Sequence, residues 1–234
     1  MSGDLNPIGQ PLPHPIVEPV LPDDLKGPFE PGLEGTSTHG PGVRGMSVEQ
    51  AGVVGYSQQF VGVWADARGQ QPALFAKGAT LAGRFEGDLE VTGDIRLLNA
   101  DCAEDFDVLS GEQAEPGTVM VVGEAGSLVP SQQAYDRRVA GVISGAGDYK
   151  PGIVLDSHRT TKPRRPIALL GKVFCKVDAS YGAIEIGDLL TTSDTPGHAM
   201  KAHNPREAFG AVIGKALRPL HEGQDMIPIL IALQ

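Results

Sequence analysis

A glycine–valine pair that returns every ten residues constrains the fold of this chain more than any other feature. The pairs begin at Gly42, Gly52 and Gly62, and only the third copy departs from the pattern, with Ala65 and Ala67 replacing glycine and serine. A short repeat of this kind cannot bury its own apolar side and is stable only when neighbouring copies cover it. The alternative is a glycine-rich linker with accidental spacing, which the regular return of both residues disfavours.

After these repeats the spacing shortens, because Gly87 and Asp88 return as Gly93 and Asp94 six residues later. Large apolar residues then fall on odd positions, which indicates an extended strand with one apolar face. A single chain with so few repeats would leave two open ends and much apolar surface exposed. Three identical chains wound around one axis would remove both problems, so the sequence predicts an intertwined homotrimeric β shaft over residues 42–98. We expect eight residues to pack between the chains: Val43, Val53, Val63, Phe85, Leu89, Val91, Ile95 and Leu97.

The first 41 residues form a separate, proline-rich segment that contains nine of the 19 prolines. This density of proline opposes both helices and sheet pairing, and it predicts an extended arm. Apolar residues such as Ile16, Val17 and Phe29 are too numerous for a fully solvated tail. We therefore expect the arm to become ordered on another protein, and a flexible spacer is the alternative.

Composition excludes several classes of protein. The net charge is −10, so nucleic acid is not an expected partner. The chain lacks a run of about 18 apolar residues, and its first residues lack the basic and apolar segments of a signal peptide, so neither membrane insertion nor a secretory signal is expected. Cys102 and Cys175 are the two cysteines. They predict neither a disulfide-rich scaffold nor a zinc site; two buried free thiols are favoured, and a single bridge between them stays open. The six histidines show no ligand spacing and are interpreted as surface or packing residues, so no cofactor is expected; a metal on a threefold axis would need only one histidine per chain, and spacing does not exclude it.

The second half of the chain reads as short apolar strands separated by glycine, proline and aspartate turns. This pattern predicts an all-β head, folded as a compact sandwich or barrel-like unit, over residues 99–234. The candidate strands are residues 119–122, 138–144, 167–177, 183–186, 189–192, 209–217 and 227–233.

A series of motifs in this half is similar, in order, to one known family. The motifs are residues 101–106, 117–120, 136–144, 169–173, 187–193, 197–202 and 213–217. They resemble the C-terminal intramolecular-chaperone autoproteolytic domain of phage tail spikes and neck appendages, and the glycine repeats look like the shaft that such domains follow. The resemblance implies a head that trimerises, sets three shafts in register and, in some members, cuts itself off.

The resemblance also implies where such a cut would fall. In cleaving members the bond lies before the aspartate of a Ser-Asp-x-x-Glu type junction, in which serine and glutamate are taken to participate. This chain matches with Asp101 and Glu104 but has Ala100 in place of the serine, and alanine offers no nucleophile. Cys102 is a poor substitute, since neighbouring carboxylates raise the pKa of a thiol. Asp101 and Glu104 are therefore the catalytic candidates only if the chain cleaves itself, and enzymatic activity stays open.

The acidic cluster around this junction has further interpretations. It consists of Asp101, Glu104, Asp105 and Asp107. Its spacing does not match a calcium-binding loop, so ion pairs with basic residues are favoured. Arg137 and Arg138 are the first candidates for those pairs. We expect the basic run Arg159, Lys162, Arg164 and Arg165 to lie solvated in a loop, with pairing across a subunit boundary as the alternative.

Together these patterns favour a structural trimeric fibre or spike protein of a phage or phage-tail-like particle. Residues 1–41 would attach it to a baseplate, tail or capsid protein, and the head would be retained after assembly in the bacterial cytoplasm. One alternative is an active self-cleaving chaperone that cuts before Asp101. Another is a fibre tip that binds a host-surface glycan receptor, for which the head offers only Tyr135, Tyr149 and Tyr181 among tyrosines.

Overall fold

The computed structural model describes residues 35, 37–59, 61–109, 115–158 and 160–233. The predicted arm over residues 1–41 therefore lies almost wholly outside the described residues. The chain divides into two units, Met1–Glu90 and Val91–Gln234. The segment boundaries predicted from the sequence stay predictions.

The described part of the first unit is a series of similar loops. Backbone bends at residues 48–50, 58–59, 69–71 and 79–80 keep a period of about ten residues, beyond the three copies seen in the sequence. Ser47 helps to close one loop, because its Oγ accepts a hydrogen bond from the Gln50 N–H at 3.1 Å. Ser37 accepts from the Gly40 N–H in the same way, ten residues earlier.

The repeated glycines allow two stretches of backbone to touch within each loop. A Cβ on Gly45 would lie 2.3 Å from the carbonyl oxygen of Gly52, and a Cβ on Gly55 would lie 2.5 Å from that of Gly62. Atoms do not approach so closely, so a side chain at Gly45 or Gly55 would force the backbone apart. The ten-residue sequence repeat is therefore also a repeat of structure.

The described residues before Asp101 contain neither a helix nor a β-strand within the single chain. The eight side chains predicted to pack between chains are all exposed, from 44% for Val91 to 70% for Val53. One copy of the chain therefore leaves this apolar surface uncovered. The predicted pairing between three copies stays a prediction.

The regular secondary structure of the second unit is almost all β-strand, as predicted. Among the described residues the strands are β1 (Asp101–Asp107), β2 (Val119–Val122), β3 (Leu128–Pro130), β4 (Val139–Ile143), β5 (Pro151–Leu155), β6 (Arg164–Asp178), β7 (Leu189–Thr192), β8 (Ala199–Lys201), β9 (Val212–Ala216) and β10 (Gln224–Ile231). They are accompanied by one short α-helix, α1 (Pro205–Ala208), and by 3-10 turns at Glu124–Gly126 and Ala179–Tyr181.

Five of these strands close into a barrel. They run in the order β10-β9-β7-β8-β6, and β10 pairs again with β6 to complete the ring. The interior is filled by fully buried aliphatic side chains, such as Val173 on β6, Ile213 on β9 and Ile229 on β10. The barrel-like unit predicted from the sequence is therefore confirmed.

The first half of β6 extends beyond the barrel and carries the remaining sheet. There β6 pairs antiparallel with β1 and with β4. β5 lies on the other side of β1 and runs parallel to it. β1 is thus an inner strand, held between β5 and β6.

The sequence predicted six of the ten strands approximately, and it was wrong about one segment. Residues 183–186 form no strand, and only a single bridge joins Ile184 to Leu220. The strands that were not predicted are β1, β3, β5 and β8. β1 was missed because four of its seven residues are acidic, which is an unfavourable composition for a strand.

Candidate functional site

The candidate site is the junction segment, residues 99–101, where the chain enters β1. On one side this segment is held by β5 and the residue before it. The Ala100 N–H donates a hydrogen bond of 2.9 Å to the carbonyl of Lys150. Gly152 lies so close that a Cβ there would be 3.3 Å from the Asn99 carbonyl oxygen.

On the other side the junction segment lies against a glycine of β6. Gly171 pairs with Asp101 and has a φ of +104°, a conformation that other residues rarely adopt. A Cβ at Gly171 would lie 2.8 Å from the Ala100 carbonyl oxygen and 3.0 Å from the Asp101 Cα. The Ala100–Asp101 bond is therefore fixed between two strands by close backbone contact.

The Asp101 side chain points into the head and is almost completely buried, with 3% of the residue exposed. The Ser144 hydroxyl donates a hydrogen bond of 2.7 Å to its Oδ2. Its Oδ1 is also buried and has no hydrogen-bond partner among the described residues. Burial raises the pKa of Asp101, and the Ser144 hydrogen bond offsets part of that rise. This carboxyl therefore holds a proton more readily than an exposed aspartate does.

The second candidate, Glu104, lies on the other side of β1. Burial alternates along the start of this strand, so Asp101 and Ala103 face inward while Cys102 and Glu104 face outward. Within the part of the chain that the structure describes, no hydrogen bond joins Asp101 to Glu104. The proposed catalytic role of the two residues stays a prediction.

Ser144 is the residue of this site that sequence reasoning missed. In the sequence it is the last residue of the predicted strand 138–144 and of the motif 136–144, and neither gives it a chemical role. It lies 43 positions from Asp101 along the chain. Only the packing of β4 and β1 on β6 brings the two together, and no spacing in the sequence signals that arrangement.

The acidic cluster pairs with basic residues other than the first candidates. Asp107 lies 3.1 Å from Lys162 Nζ and 3.3 Å from Arg164 Nε. The antiparallel register of β1 and β6 places Asp107 directly opposite Arg164. The expectation of a solvated loop was therefore wrong for Arg164, which begins β6 and whose side chain is 11% exposed. Lys162 does lie exposed in the loop before β6.

Arg138 does not serve the acidic cluster either. Its guanidinium makes a two-pronged contact with Asp136 in its own turn, with Nη2 at 2.6 Å from Oδ2. That contact lowers the pKa of Asp136. Arg159 lies outside the described residues. No group of three or more His, Cys, Asp or Glu side chains among the described residues is placed to hold a metal ion.

The three tyrosines of the head all make contacts inside it. The Tyr135 hydroxyl accepts hydrogen bonds from the backbone of residues 203 and 204, both at 3.1 Å. Tyr149 packs against Phe174, with ring centroids 5.0 Å apart. The Tyr181 hydroxyl lies 3.1 Å from Thr195 Oγ1. These contacts fit structural roles for the three side chains.

Both cysteines are free thiols, as favoured from the sequence. Cys175 is fully buried in the barrel, and this burial raises the pKa of its thiol. Cys102 is only partly buried, so the expectation that both thiols are buried was wrong for this residue. The two therefore differ strongly in their access to reagents.

The fold and this site define a class of all-β protein in which a glycine-repeat segment precedes a barrel-based head and the connecting backbone is clamped between two strands. No family model and no curated protein matches this chain. None of the helices in the described residues is long and apolar enough to cross a membrane.

Solved structures with distant similarity to this chain include proteins of bacteriophage phi29. The pre-mature gene product 12 is 18% identical, over 65% of this chain and 24% of its own, with a TM-score of 0.41. The C-terminal fragment of gene product 12 is 17% identical over 56% of this chain and 100% of the fragment, with a TM-score of 0.37. The N base of the head fibre gp8.5 is 18% identical over 57% of this chain and 90% of its own, with a TM-score of 0.26. This chain thus spans about a quarter of the length of the pre-mature gene product 12.

Proposed function

We propose that this chain is a homotrimeric structural subunit of a fibre or spike on a phage or phage-tail-like particle. Its N-terminal arm attaches to a baseplate, tail or capsid protein, the glycine repeats form the shaft, and the head trimerises and is retained. The observation that carries this proposal is a regular structural repeat whose apolar side chains remain uncovered in one chain.

The size of that uncovered surface supports a partner. The exposed fractions of the eight side chains predicted to pack between chains add up to about five fully exposed side chains. Covering them would contribute roughly 7–15 kcal/mol per chain, at about 1.5–3 kcal/mol for each large apolar side chain. Identical chains are the natural partner, because they carry the same ten-residue period and can match it over the whole length.

The head supports the proposal through its junction segment. Close backbone contacts at Gly152 and Gly171 fix the direction in which the chain reaches Ala100. Three heads that associate would therefore start three shafts at the same residue. That arrangement removes the slow search for register between distant parts of three chains.

The native mass of the full-length protein, measured beside a denaturing gel, tests this function. We expect three intact chains. Leu89→Asp and Ile95→Asp should each prevent the shaft from assembling, since each places a charge where chains meet. Thr92→Asp is the control, because it adds the same charge at an even-numbered position of the same segment. A monomeric wild-type protein, or fully stable trimers of both variants, would contradict the proposal.

Self-cleavage is the second candidate function, and the buried Asp101 favours it. Burial raises the pKa of its carboxyl, which accepts a hydrogen bond from the Ser144 hydroxyl and lies next to the Ala100–Asp101 bond. The same gel distinguishes the two functions. A fragment that begins at Asp101 would establish cleavage, whereas a single full-length band after prolonged incubation would exclude it.

A further inference from the structure

A patch of apolar side chains lies on the outward side of the head, around Cys102. The strand register places Ile153 of β5, Cys102 of β1 and Leu170 of β6 side by side. Leu155 follows on β5, and Leu230 of β10 lies beside the continuation of β6. We call these five residues the outer patch. The four aliphatic side chains are exposed by 41–65%, although most side chains of that type in the head are buried.

β5, which borders the outer patch, is also an edge strand. Among the described residues β5 pairs only with β1, so its other edge offers unpaired N–H and C=O groups. An exposed strand edge beside apolar side chains favours association with another chain.

The apolar surface continues along the chain into the segment before the junction. Val91, Ile95, Leu97 and Leu98 are exposed by 44–101%. Backbone contacts with Gly152 and Gly171 hold residues 99–101 against β5 and β6, so this segment ends within four residues of Cys102. Whatever covers the end of the segment must therefore lie close to the outer patch.

The combined area is that of a subunit contact. The outer patch and the segment before the junction each contribute four exposed aliphatic side chains. Their exposed fractions add up to about four and a half fully exposed side chains, or roughly 300–500 Å² of apolar surface per chain. A stable interface buries about 800 Å² on each partner, somewhat more than half of it apolar. A second copy is the occupant that fits, because it carries the same segment and the same patch at the same distance from the junction. Rotational symmetry then covers both features in every copy.

We propose that the outer patch is the contact surface between heads and that a second copy of this chain covers it. This inference rests on the proposed function and adds to it the face through which the heads associate. Cys102 lies in the centre of this contact and is shielded in the assembled protein.

Cys102 provides a direct readout in the full-length protein. Cys175 is fully buried in the barrel and stays unreactive until the protein unfolds, so maleimide labelling under native conditions reports on Cys102. In the assembled wild type we expect slow labelling. Leu170→Asp should increase the rate at least about 10-fold, because a charge at the contact separates the heads and exposes the thiol.

Ile186→Asp is the matched control. Ile186 is 68% exposed and Leu170 is 65% exposed, but Ile186 lies in the turn before β7, outside β1, β5 and β6. It should label like the wild type. Ile153→Asp, on the other flank of Cys102, provides a second test if circular dichroism shows that Leu170→Asp does not fold.

The outcomes separate this inference from the proposed function. If the native mass shows an assembled wild type while the wild type and both patch variants label at equal rates, the outer patch is not the contact and the fibre proposal stands. If the wild type is a monomer, both proposals fall. The contact is supported if the wild type labels slowly, if Leu170→Asp or Ile153→Asp labels faster, and if Ile186→Asp labels at the wild-type rate.

Discussion

Replacing Gly171 by alanine tests whether the head clamps the chain where it enters β1. Gly171 has a φ of +104°, and its missing Cβ leaves room for the backbone of Ala100 and Asp101. Alanine would adopt this backbone conformation at a cost of about 1–2 kcal/mol. Its Cβ would also stand 2.8 Å from a carbonyl oxygen, so the junction segment would have to move. Such overpacking costs about 1–3 kcal/mol more.

Gly145→Ala is the matched control for this change. Gly145 has a φ of +103°, but a Cβ there would find no atom within 4 Å. Alanine at this position therefore has the same unfavourable φ as alanine at Gly171, but its Cβ makes no close contact. The difference between the two variants isolates the contact at the junction, and we expect about 1–3 kcal/mol.

Thermal unfolding of the two variants measures this difference. For a unit of this size, 1 kcal/mol shifts the Tm by about 3–5 °C. Gly171→Ala should therefore melt roughly 3–15 °C below Gly145→Ala, with both below the wild type. Equal melting temperatures for the two variants would show that no close contact holds the junction segment.

Two buried aspartates predict opposite effects of pH on stability. Burial raises the pKa of Asp101, so the folded state binds its proton more tightly than the unfolded state does, and this residue destabilises the protein as the pH rises above about 3.8. The Tm of Asp101→Asn relative to the wild type should thus increase from pH 4 to pH 7, and a constant difference would argue against a buried charge. Burial also opposes ionisation of Asp178, but hydrogen bonds from Thr195, Ser180 and Gln224 outweigh it and lower its pKa to about 2. Asp178→Asn should cost about 1–3 kcal/mol at pH 7. That cost should shrink as the pH falls from 4 through 2, and an equal loss at both ends of this range would refute the assignment.

The ten-residue repeat was accessible from the sequence because its signal is local. Gly45 and Gly55 recur at the spacing at which the backbone must touch itself, and no other residue fits there. The repeat nevertheless extends further than the glycine–valine pairs indicate, since the bends at residues 69–71 and 79–80 keep the period. The bends recur there with other side chains, and a search for identical residues does not detect them.

The head shows where local reasoning fails. β1 carries acidic residues that disfavour a strand, and its position between β5 and β6 imposes the strand. The ion pair of Asp107 with Arg164 and the hydrogen bond of Asp101 with Ser144 both depend on the register of strands far apart in sequence. Strand periodicity predicts which residues are buried in a strand, but it does not predict which strand lies next to it. The barrel class was therefore predictable, and the partners at the junction were not.

Closure of the barrel by β10 also has a consequence for the order of events during synthesis. β10 follows all the other described strands along the chain, and without it β6 and β9 would remain open edges. A ribosome that adds about 5–20 residues per second needs roughly 7–28 s to proceed from residue 91 to residue 231. For most of that interval the glycine repeats have left the ribosome, with their apolar side chains uncovered. Neighbouring ribosomes on one messenger RNA would hold several such chains close together, which favours encounters between copies before any head is complete.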